Sequence, residues 1–126
     1  MYQDTGLKRK VIDKFYTSPN VVDDCMKLVE DKIEIGSNDL CIEPCAGSGA
    51  FNERIKSLFE NYLFYDIEPE HNEIIKVDFF DLNLEEIAGQ GFEKIHAIGN
   101  PPFGRQSSLA IRFIKKCSKY CDSISF

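Results

Sequence analysis

The sequence predicts an α/β fold, in which a mostly parallel sheet carries helices on both faces. Two observations predict it. Short apolar runs alternate with amphipathic helical segments along the 126 residues, and two of those runs end in an acidic residue followed by a proline. Alternating strands and helices are typical of βαβ units, whose strands are parallel. The length is that of one domain, so we expect residues 1–126 to form a single domain.

The first helix is predicted to begin after Ser18, a good N-cap residue, with Pro19 in its first turn. Apolar residues then recur at three- and four-residue steps and predict one buried face: Val22, Met26, Val29 and Ile33. This helix precedes the first strand and is expected to pack against the sheet.

Five apolar runs are predicted as strands, over residues 38–44, 62–69, 73–81, 93–102 and 122–126. Helices are predicted between them over residues 51–60, 84–91 and 108–120, the last of which carries Leu109, Ile111, Phe113 and Ile114. The final run is apolar where the sequence stops. Because an unprotected terminal edge strand favours aggregation, we expect the domain to be an N-terminal fragment, truncated at its C-terminal end.

The charge composition bears on whether the protein binds nucleic acid. The net charge of −6 argues against a free-standing nucleic-acid binder, which is usually basic. Two positive clusters are the exceptions, residues 8–10 and a set on the last helix: Arg112, Lys115, Lys116 and Lys119. Solvated surface is the simpler interpretation of both clusters. Residues 8–10 are also candidate phosphate contacts, because they lie near the site that the strand ends described below are predicted to form.

The five cysteines are an odd number and include no C-x-x-C pair, so we expect reduced, structural thiols and no metal site. No apolar run approaches the ~20 residues of a membrane span, and the N-terminus lacks the apolar region of a secretory signal. We therefore expect an intracellular protein, cytoplasmic or nuclear, that is not secreted. The sequence leaves its oligomeric state open.

Acidic residues stand at the ends of the first two predicted strands. Glu43 ends the first and Asp66 ends the second, and a turn containing Gly47 and Gly49 follows Glu43. The third glycine of a dinucleotide-binding turn is absent, and a carboxylate at Glu43 would repel a pyrophosphate. Asp66 is placed to accept hydrogen bonds from ribose hydroxyls. The pattern predicts a pocket for a nucleoside with a positive group, such as S-adenosylmethionine.

The stretch VDFFD, residues 77–81, follows at the end of the third predicted strand. Asp78 can accept a hydrogen bond from the exocyclic amine of an adenine, and the Phe79 ring can lie against the adenine face. On its own this short motif is more often a core aromatic residue beside a solvated acid.

The fourth strand end carries Asn100-Pro101-Pro102-Phe103-Gly104. Two prolines offer no backbone N–H and stiffen the corner, so the Asn100 side-chain oxygen and the Pro101 carbonyl can point together into the site. Two such acceptors can hold the two hydrogens of a planar amino group, and Phe103 offers a ring on which a planar substrate stacks. We call this pair of acceptors the amino clamp.

Five stretches in a fixed order carry a resemblance to a known family: KFYTSP, EPCAGSGAF, YDIEP, VDFFD and GNPPFG, across residues 15–104. Together they resemble the Rossmann-like, S-adenosylmethionine-dependent N6-adenine methyltransferases, in the gamma-type order that places the cofactor motifs before the N-P-P-F motif. GNPPFG is the most specific of the five. Family members usually add two strands and a nucleic-acid recognition region, which this sequence lacks.

The resemblance implies a role for each matching residue. The implied cofactor-binding residues are Thr17, Pro19, Glu43, Pro44, Ala46, Gly47, Gly49, Asp66, Ile67, Asp78 and Phe79. Among them Glu43 would hold the methionine end, Asp66 the ribose, and Asp78 and Phe79 the adenine. The implied catalytic residues are Asn100, Pro101, Pro102 and Phe103. The implied function is transfer of a methyl group from S-adenosylmethionine to N6 of adenine in DNA or RNA.

Two alternatives stay open. Protein methyltransferases that act on a glutamine amide resemble this sequence and also carry G-N-P-P, but usually with tyrosine at the position of Phe103. A catalytically silent methyltransferase-like binding subunit is the other, although both acceptors of the amino clamp and both pocket acids are present. A nicotinamide-dependent oxidoreductase is disfavoured by Glu43 and the missing glycine.

Overall fold

The structure, a computed structural model, describes residues 17–102, 104 and 107–126. Five strands form one parallel sheet in the order β3-β2-β1-β4-β5: β1 Leu40–Glu43, β2 Asn61–Asp66, β3 Ile75–Lys76, β4 Ile95–Ile98 and β5 Ser123–Ser125. The helices are α1 Pro19–Lys32, α2 Asn52–Leu58, α3 Leu84–Ala88 and α4 Ser108–Ser118, with a 3₁₀ turn at Phe79–Asp81. The predicted α/β fold with a Rossmann-like parallel sheet is confirmed.

The central strand β1 is buried along its whole length and pairs with β2 on one side and β4 on the other. Strand order reverses here, because the chain runs outward from β1 to β3 and then crosses back to β4. In such sheets ligands bind at the carboxyl ends of the strands, beside the point of reversal. Glu43, the last residue of β1, lies at that point.

Helices α1 and α2 cover one face of the sheet. Ser18 caps α1 by accepting a hydrogen bond from the Val21 N–H at 3.4 Å, as the sequence predicts. The buried residues of this face come from both helices and the strands beneath: Val22, Met26, Val29, Cys41, Ala46, Phe51, Ile55, Phe59, Phe64, Ile74 and Ile98. The predicted inward face of α1 is confirmed at its first three positions, whereas Ile33 is partly buried and caps the helix.

Helices α3 and α4 cover the other face. Their buried residues pack on a second core cluster, which includes Leu40, Ile42, Tyr65, Phe79, Leu84, Ile87, Ile95, Ala97, Phe113 and Cys117. The inward residues of α4 are Ala110, Phe113 and Cys117. Ile111 and Ile114 remain 47% and 42% exposed, so the apolar residues of α4 do not all face the core.

The predicted third strand, residues 73–81, is wrong in its length. Only Ile75 and Lys76 pair with β2, and Phe79–Asp81 form a 3₁₀ turn. The Asp78 carboxylate accepts a hydrogen bond from the Phe80 N–H at 2.9 Å and so starts that turn. A side chain that bonds a nearby backbone N–H competes with sheet pairing, which explains why the strand ends early.

Among the described residues, no helix is long and apolar enough to cross a membrane.

Candidate active site

The carboxyl ends of β1 and β4 bring together residues that are distant in the sequence. Residues of both strand ends, the turn after β1 and the segment before α1 line one small cavity of about 40 Å³, among them Thr17, Glu43, Cys45, Ala46, Gly47 and Asn100. Five of these six are predicted site residues. Pro19 lines an adjoining hollow of about 170 Å³ together with Thr17. The topology thus places predicted cofactor-binding and substrate-binding residues around a common space.

Glu43 is the most unusual residue of this cavity. Its side chain is 1% exposed, and its Oε1 has no hydrogen-bond partner among the described residues. Burial raises the pKa of this carboxyl well above 4.5, and the negative charge of Asp66 raises it further. Because a buried charge without a partner is costly, this carboxyl favours a cationic group beside it.

Gly99 makes room for Glu43. A Cβ at Gly99 would lie 3.1 Å from the Glu43 Cγ, so a larger residue at the end of β4 would push the carboxylate out of its position. The glycine before Asn100 therefore helps to shape the cavity around Glu43.

The turn after β1 is held against β2 by backbone hydrogen bonds. The Ala46 N–H donates to the Tyr65 carbonyl at 2.8 Å, and Pro44 is buried beneath the turn. Gly47 and Gly49 have φ angles of 59° and 87°, which residues with a side chain rarely adopt. A Cβ at Gly49 would also lie 2.9 Å from the Asn52 amide nitrogen. The predicted glycine turn is thus fixed by both conformation and space.

Asp66 joins this turn to the end of β2. Its Oδ2 accepts a hydrogen bond from the Gly47 N–H at 2.8 Å, and its Oδ1 accepts one from the Glu68 N–H at 2.8 Å. These bonds fix the carboxylate at the sheet edge. Each oxygen keeps a second lone pair, so the pair can still accept hydrogen bonds from two vicinal hydroxyls.

The remaining predicted cofactor residues follow along the edge. Ile67 is 59% exposed beside Asp66 and offers an apolar surface. Asp78 starts the 3₁₀ turn. The Phe79 ring is 3% exposed and contacts Tyr65 and Phe113, with ring centroids 6.5 and 5.6 Å away. Phe79 therefore belongs to the core under the site, and its stacking on an adenine stays a prediction.

The amino clamp begins directly beyond β4. Asn100 is exposed, and its Nδ2 donates to Thr17 Oγ1 at 3.5 Å, which leaves the side-chain oxygen without a partner among the described residues. Pro101 is buried and Pro102 is half-buried, so the corner is anchored. Phe103 lies outside the described residues, as do residues 8–10.

Sequence reasoning missed three features. Asp39 and His96 form a buried pair at the opposite end of the sheet. Lys116 of α4 donates to the carbonyls of Phe79 and Leu82 and so supports the 3₁₀ turn. Asn52 is buried beside the glycine turn, with no partner for its amide among the described residues. From the sequence, the burial of Asn52 could have been inferred only from its place at an inward position of a predicted helix.

The sequence of the chain is similar to that of a known methyltransferase. Over 118 aligned residues the chain is 32% identical to the ribosomal RNA small subunit methyltransferase A of Sulfurihydrogenibium sp. (strain YO3AOP1). The alignment covers 82% of this chain and 44% of that protein, so the chain spans less than half of the relative's length. No protein-family model and no solved structure matches the chain. A relative named as a methyltransferase supports the predicted Rossmann-like methyltransferase fold and enzyme class.

Proposed function

We propose that this chain is the cofactor-binding and catalytic part of an S-adenosylmethionine-dependent methyltransferase that acts on N6 of adenine in RNA. The observation that carries the proposal is Glu43, a buried carboxyl without a partner for Oε1, which shares one cavity with Asn100. A buried acid at the point of strand reversal fits a ligand that carries a positive charge and excludes one that presents phosphates.

The residues present fit this cofactor. The Glu43 carboxylate would hold the ammonium group of the cofactor, since Glu43 Oε1 is a buried acceptor in this cavity without a partner among the described residues. Asp66, fixed by the Gly47 and Glu68 N–H groups, would accept the ribose hydroxyls, and Ile67 would lie against the nucleoside. When bound, the cofactor supplies a methyl group on a sulfonium centre.

The amino clamp would act on the target amine. The Asn100 side-chain oxygen and the Pro101 carbonyl would each accept one of its hydrogens, which keeps the nitrogen lone pair from conjugating fully with the ring. A lone pair directed at the methyl group is the geometry that in-line attack requires. No described residue is needed as a base, because the amine loses its proton to water after the new bond forms. Phe103 would stack against the target base.

RNA is proposed over DNA because the similar protein is named as a ribosomal RNA methyltransferase. An unpaired adenine presents both its amine and its ring face, whereas one in a duplex must first be flipped out. The acidic chain as a whole gives no general attraction for nucleic acid, so recognition is expected to be local.

The test begins with calorimetric titration of the chain with S-adenosylhomocysteine. Binding that Asp66→Ala weakens and Asn38→Ala leaves unchanged supports the cofactor site, because Asn38 is exposed at the opposite end of the sheet. Methyl transfer from radiolabelled cofactor to RNA, DNA and protein then identifies the substrate. Asn100→Ala should retain cofactor binding and lose most of its turnover, while Asn38→Ala retains both. No binding by a folded chain would contradict the proposal.

A further inference from the structure

A shallow basic hollow lies on the outer side of α4, away from the cavity of Glu43. It has a volume of about 530 Å³ and is lined by Phe80, Arg112, Lys115, Lys116, Ser118, Lys119 and Tyr120. Four of these seven residues are cationic and two are aromatic. We call this set the α4 hollow.

The charge of the α4 hollow contrasts with that of the chain. The net charge is −6, yet no acidic residue occurs in the stretch from residue 94 to residue 121. The acids that face the hollow come from the neighbouring 3₁₀ turn, where Asp78 and Asp81 act on the Lys116 ammonium. Positive charge is therefore concentrated on one helix of an acidic protein.

Two of the cations are held by the fold. The Lys116 ammonium donates to the Phe79 and Leu82 carbonyls at 2.5 and 2.6 Å, and the Arg112 guanidinium lies 4.2 Å from the centre of the Phe80 ring. These contacts hold the Lys116 and Arg112 side chains in place, and we call this part the floor of the hollow. The floor is therefore formed by contacts within the protein.

The other two cations are available. Within the described part of the chain, the side chains of Lys115 and Lys119 make no hydrogen bond or ion pair, and both residues are exposed. They lie four residues apart on the same side of the helix end, so their ammonium groups can reach one anionic ligand. Tyr120 adds a partly exposed ring and a hydroxyl at the same edge.

We propose that the α4 hollow binds the phosphate backbone of single-stranded RNA beside the target adenine, a proposal that rests on the function proposed above. Cationic side chains next to aromatic rings are the usual composition of surfaces that bind single strands. The hollow is next to the 3₁₀ turn of the candidate site, because Phe80 lines it and follows Phe79, which the sequence predicts beside the adenine of the cofactor. Helix α4 itself begins four residues beyond Gly104, so one helix links the amino clamp to the hollow.

The experiment measures binding of a labelled oligoadenylate RNA, about 12 nucleotides long to match single-strand site sizes, by fluorescence anisotropy. The test variant is Lys115→Ala with Lys119→Ala. The matched control is Lys27→Ala with Lys32→Ala, which removes the same charge from exposed positions on α1, on the opposite face of the sheet. Each protein is titrated at salt concentrations between about 50 and 200 mM, because the salt dependence of the binding constant reports contacts with RNA phosphates.

We expect the test variant to bind roughly tenfold more weakly at low salt and its salt slope to fall by about 1.4, the value for two lost phosphate contacts to a single strand. The control should bind like the wild-type chain. Equal binding by test variant and wild type, equal loss in both double variants, or no RNA binding by the wild type would each overturn the proposal. Equal affinity for an acidic polyglutamate peptide would overturn it as well, since the hollow would then not be selective for phosphate.

Titration with S-adenosylhomocysteine on the same proteins separates this proposal from the proposed function. Both double variants should bind it like the wild type, because neither pair touches the cavity of Glu43. If the wild type fails to bind S-adenosylhomocysteine while the RNA results hold, the methyltransferase function fails and the RNA surface remains. If cofactor binding holds and the RNA results fail, only the α4 hollow is wrong.

Discussion

Oδ2 of Asp39 lies 2.9 Å from Nε2 of His96, and both side chains are buried. The same Asp39 oxygen accepts a hydrogen bond from the Gly36 N–H at 3.0 Å, and Nδ1 of His96 lies 2.7 Å from Ser123 Oγ. Asp39 precedes β1, whereas His96 is in β4 and Ser123 begins β5. The network therefore joins three parallel strands at the end of the sheet opposite the candidate active site.

Replacing Asp39 with alanine should destabilise the fold without altering the candidate active site. The buried His96 Nε2 would lose its partner, which costs about 1–3 kcal/mol. Urea unfolding should show this loss in the free energy of unfolding, while Asp31→Ala, an exposed acid on α1, should change it little. An Asp39→Ala chain as stable as the Asp31→Ala control would show that the pair contributes nothing.

The same residue gives a pH prediction. Burial raises the pKa of Asp39, but the Gly36 N–H and the His96 ring outweigh it, so the pKa lies below 3.8. A lowered pKa in the folded state stabilises the fold above the unfolded pKa, and this stability is lost as pH falls through the folded value. The Asp39→Ala chain should therefore lose less stability than the wild type when the pH falls below about 4 in urea titrations.

Glu43→Gln should stabilise the ligand-free protein at neutral pH. Since the pKa of Glu43 is raised in the fold, the folded chain binds more protons than the unfolded chain above pH 4.5, and its stability falls as pH rises. Each pH unit within that window costs about 1.4 kcal/mol. Thermal denaturation should show that the stability of Glu43→Gln relative to the wild type increases as the pH rises. Equal stability at every pH would contradict the raised pKa.

The matched control for this substitution is Glu60→Gln, an exposed carboxyl after α2. It should follow the wild type at every pH. In the presence of S-adenosylhomocysteine the wild type should become more stable than Glu43→Gln, because only the Glu43 carboxylate can form an ion pair with the ligand's ammonium. The wild type should then be stabilised more than Glu43→Gln.

Much of the fold could be predicted from the sequence, because the residues at the ends of several helices and strands determine where these elements begin and end. Ser18 and Pro19 start α1, and Glu43 ends a fully buried strand. Five of the predicted site residues also line one cavity, and their roles in binding stay predictions. These predictions succeeded where a residue's neighbours in sequence determine its conformation.

The remaining features depend on contacts between distant residues. The Phe79 ring is buried because α4 packs over it, and Lys116 of that helix supports its carbonyl. The pairing of Asp39 with His96 depends on the registry of β1 and β4. None of these contacts has a signature within a single segment.

Lys116→Met should destabilise the 3₁₀ turn, since the carbonyls of Phe79 and Leu82 would lose their common donor. The cost should be about 1–3 kcal/mol in urea unfolding. Lys115→Met, at an exposed neighbouring position without a side-chain partner in the described chain, is the matched control and should cost little. If the two variants were equally stable, Lys116 would be a surface cation like its neighbour, and the fixed floor of the α4 hollow would be wrong.

Cysteine labelling should follow the burial of the five thiols. Cys25 is exposed on α1, whereas Cys41 and Cys117 are buried. Burial raises the pKa of Cys41, and the hydrogen bond with Cys121 together with burial raises that of Cys117. Because the thiolate is the reactive form, iodoacetamide at neutral pH should modify Cys25 in the folded chain and these two only after unfolding. Peptide mass spectrometry over time measures the order in which the three cysteines react. Early modification of Cys117 in the folded chain would show that α4 separates readily from the sheet, which the packing of Phe113 against Phe79 opposes.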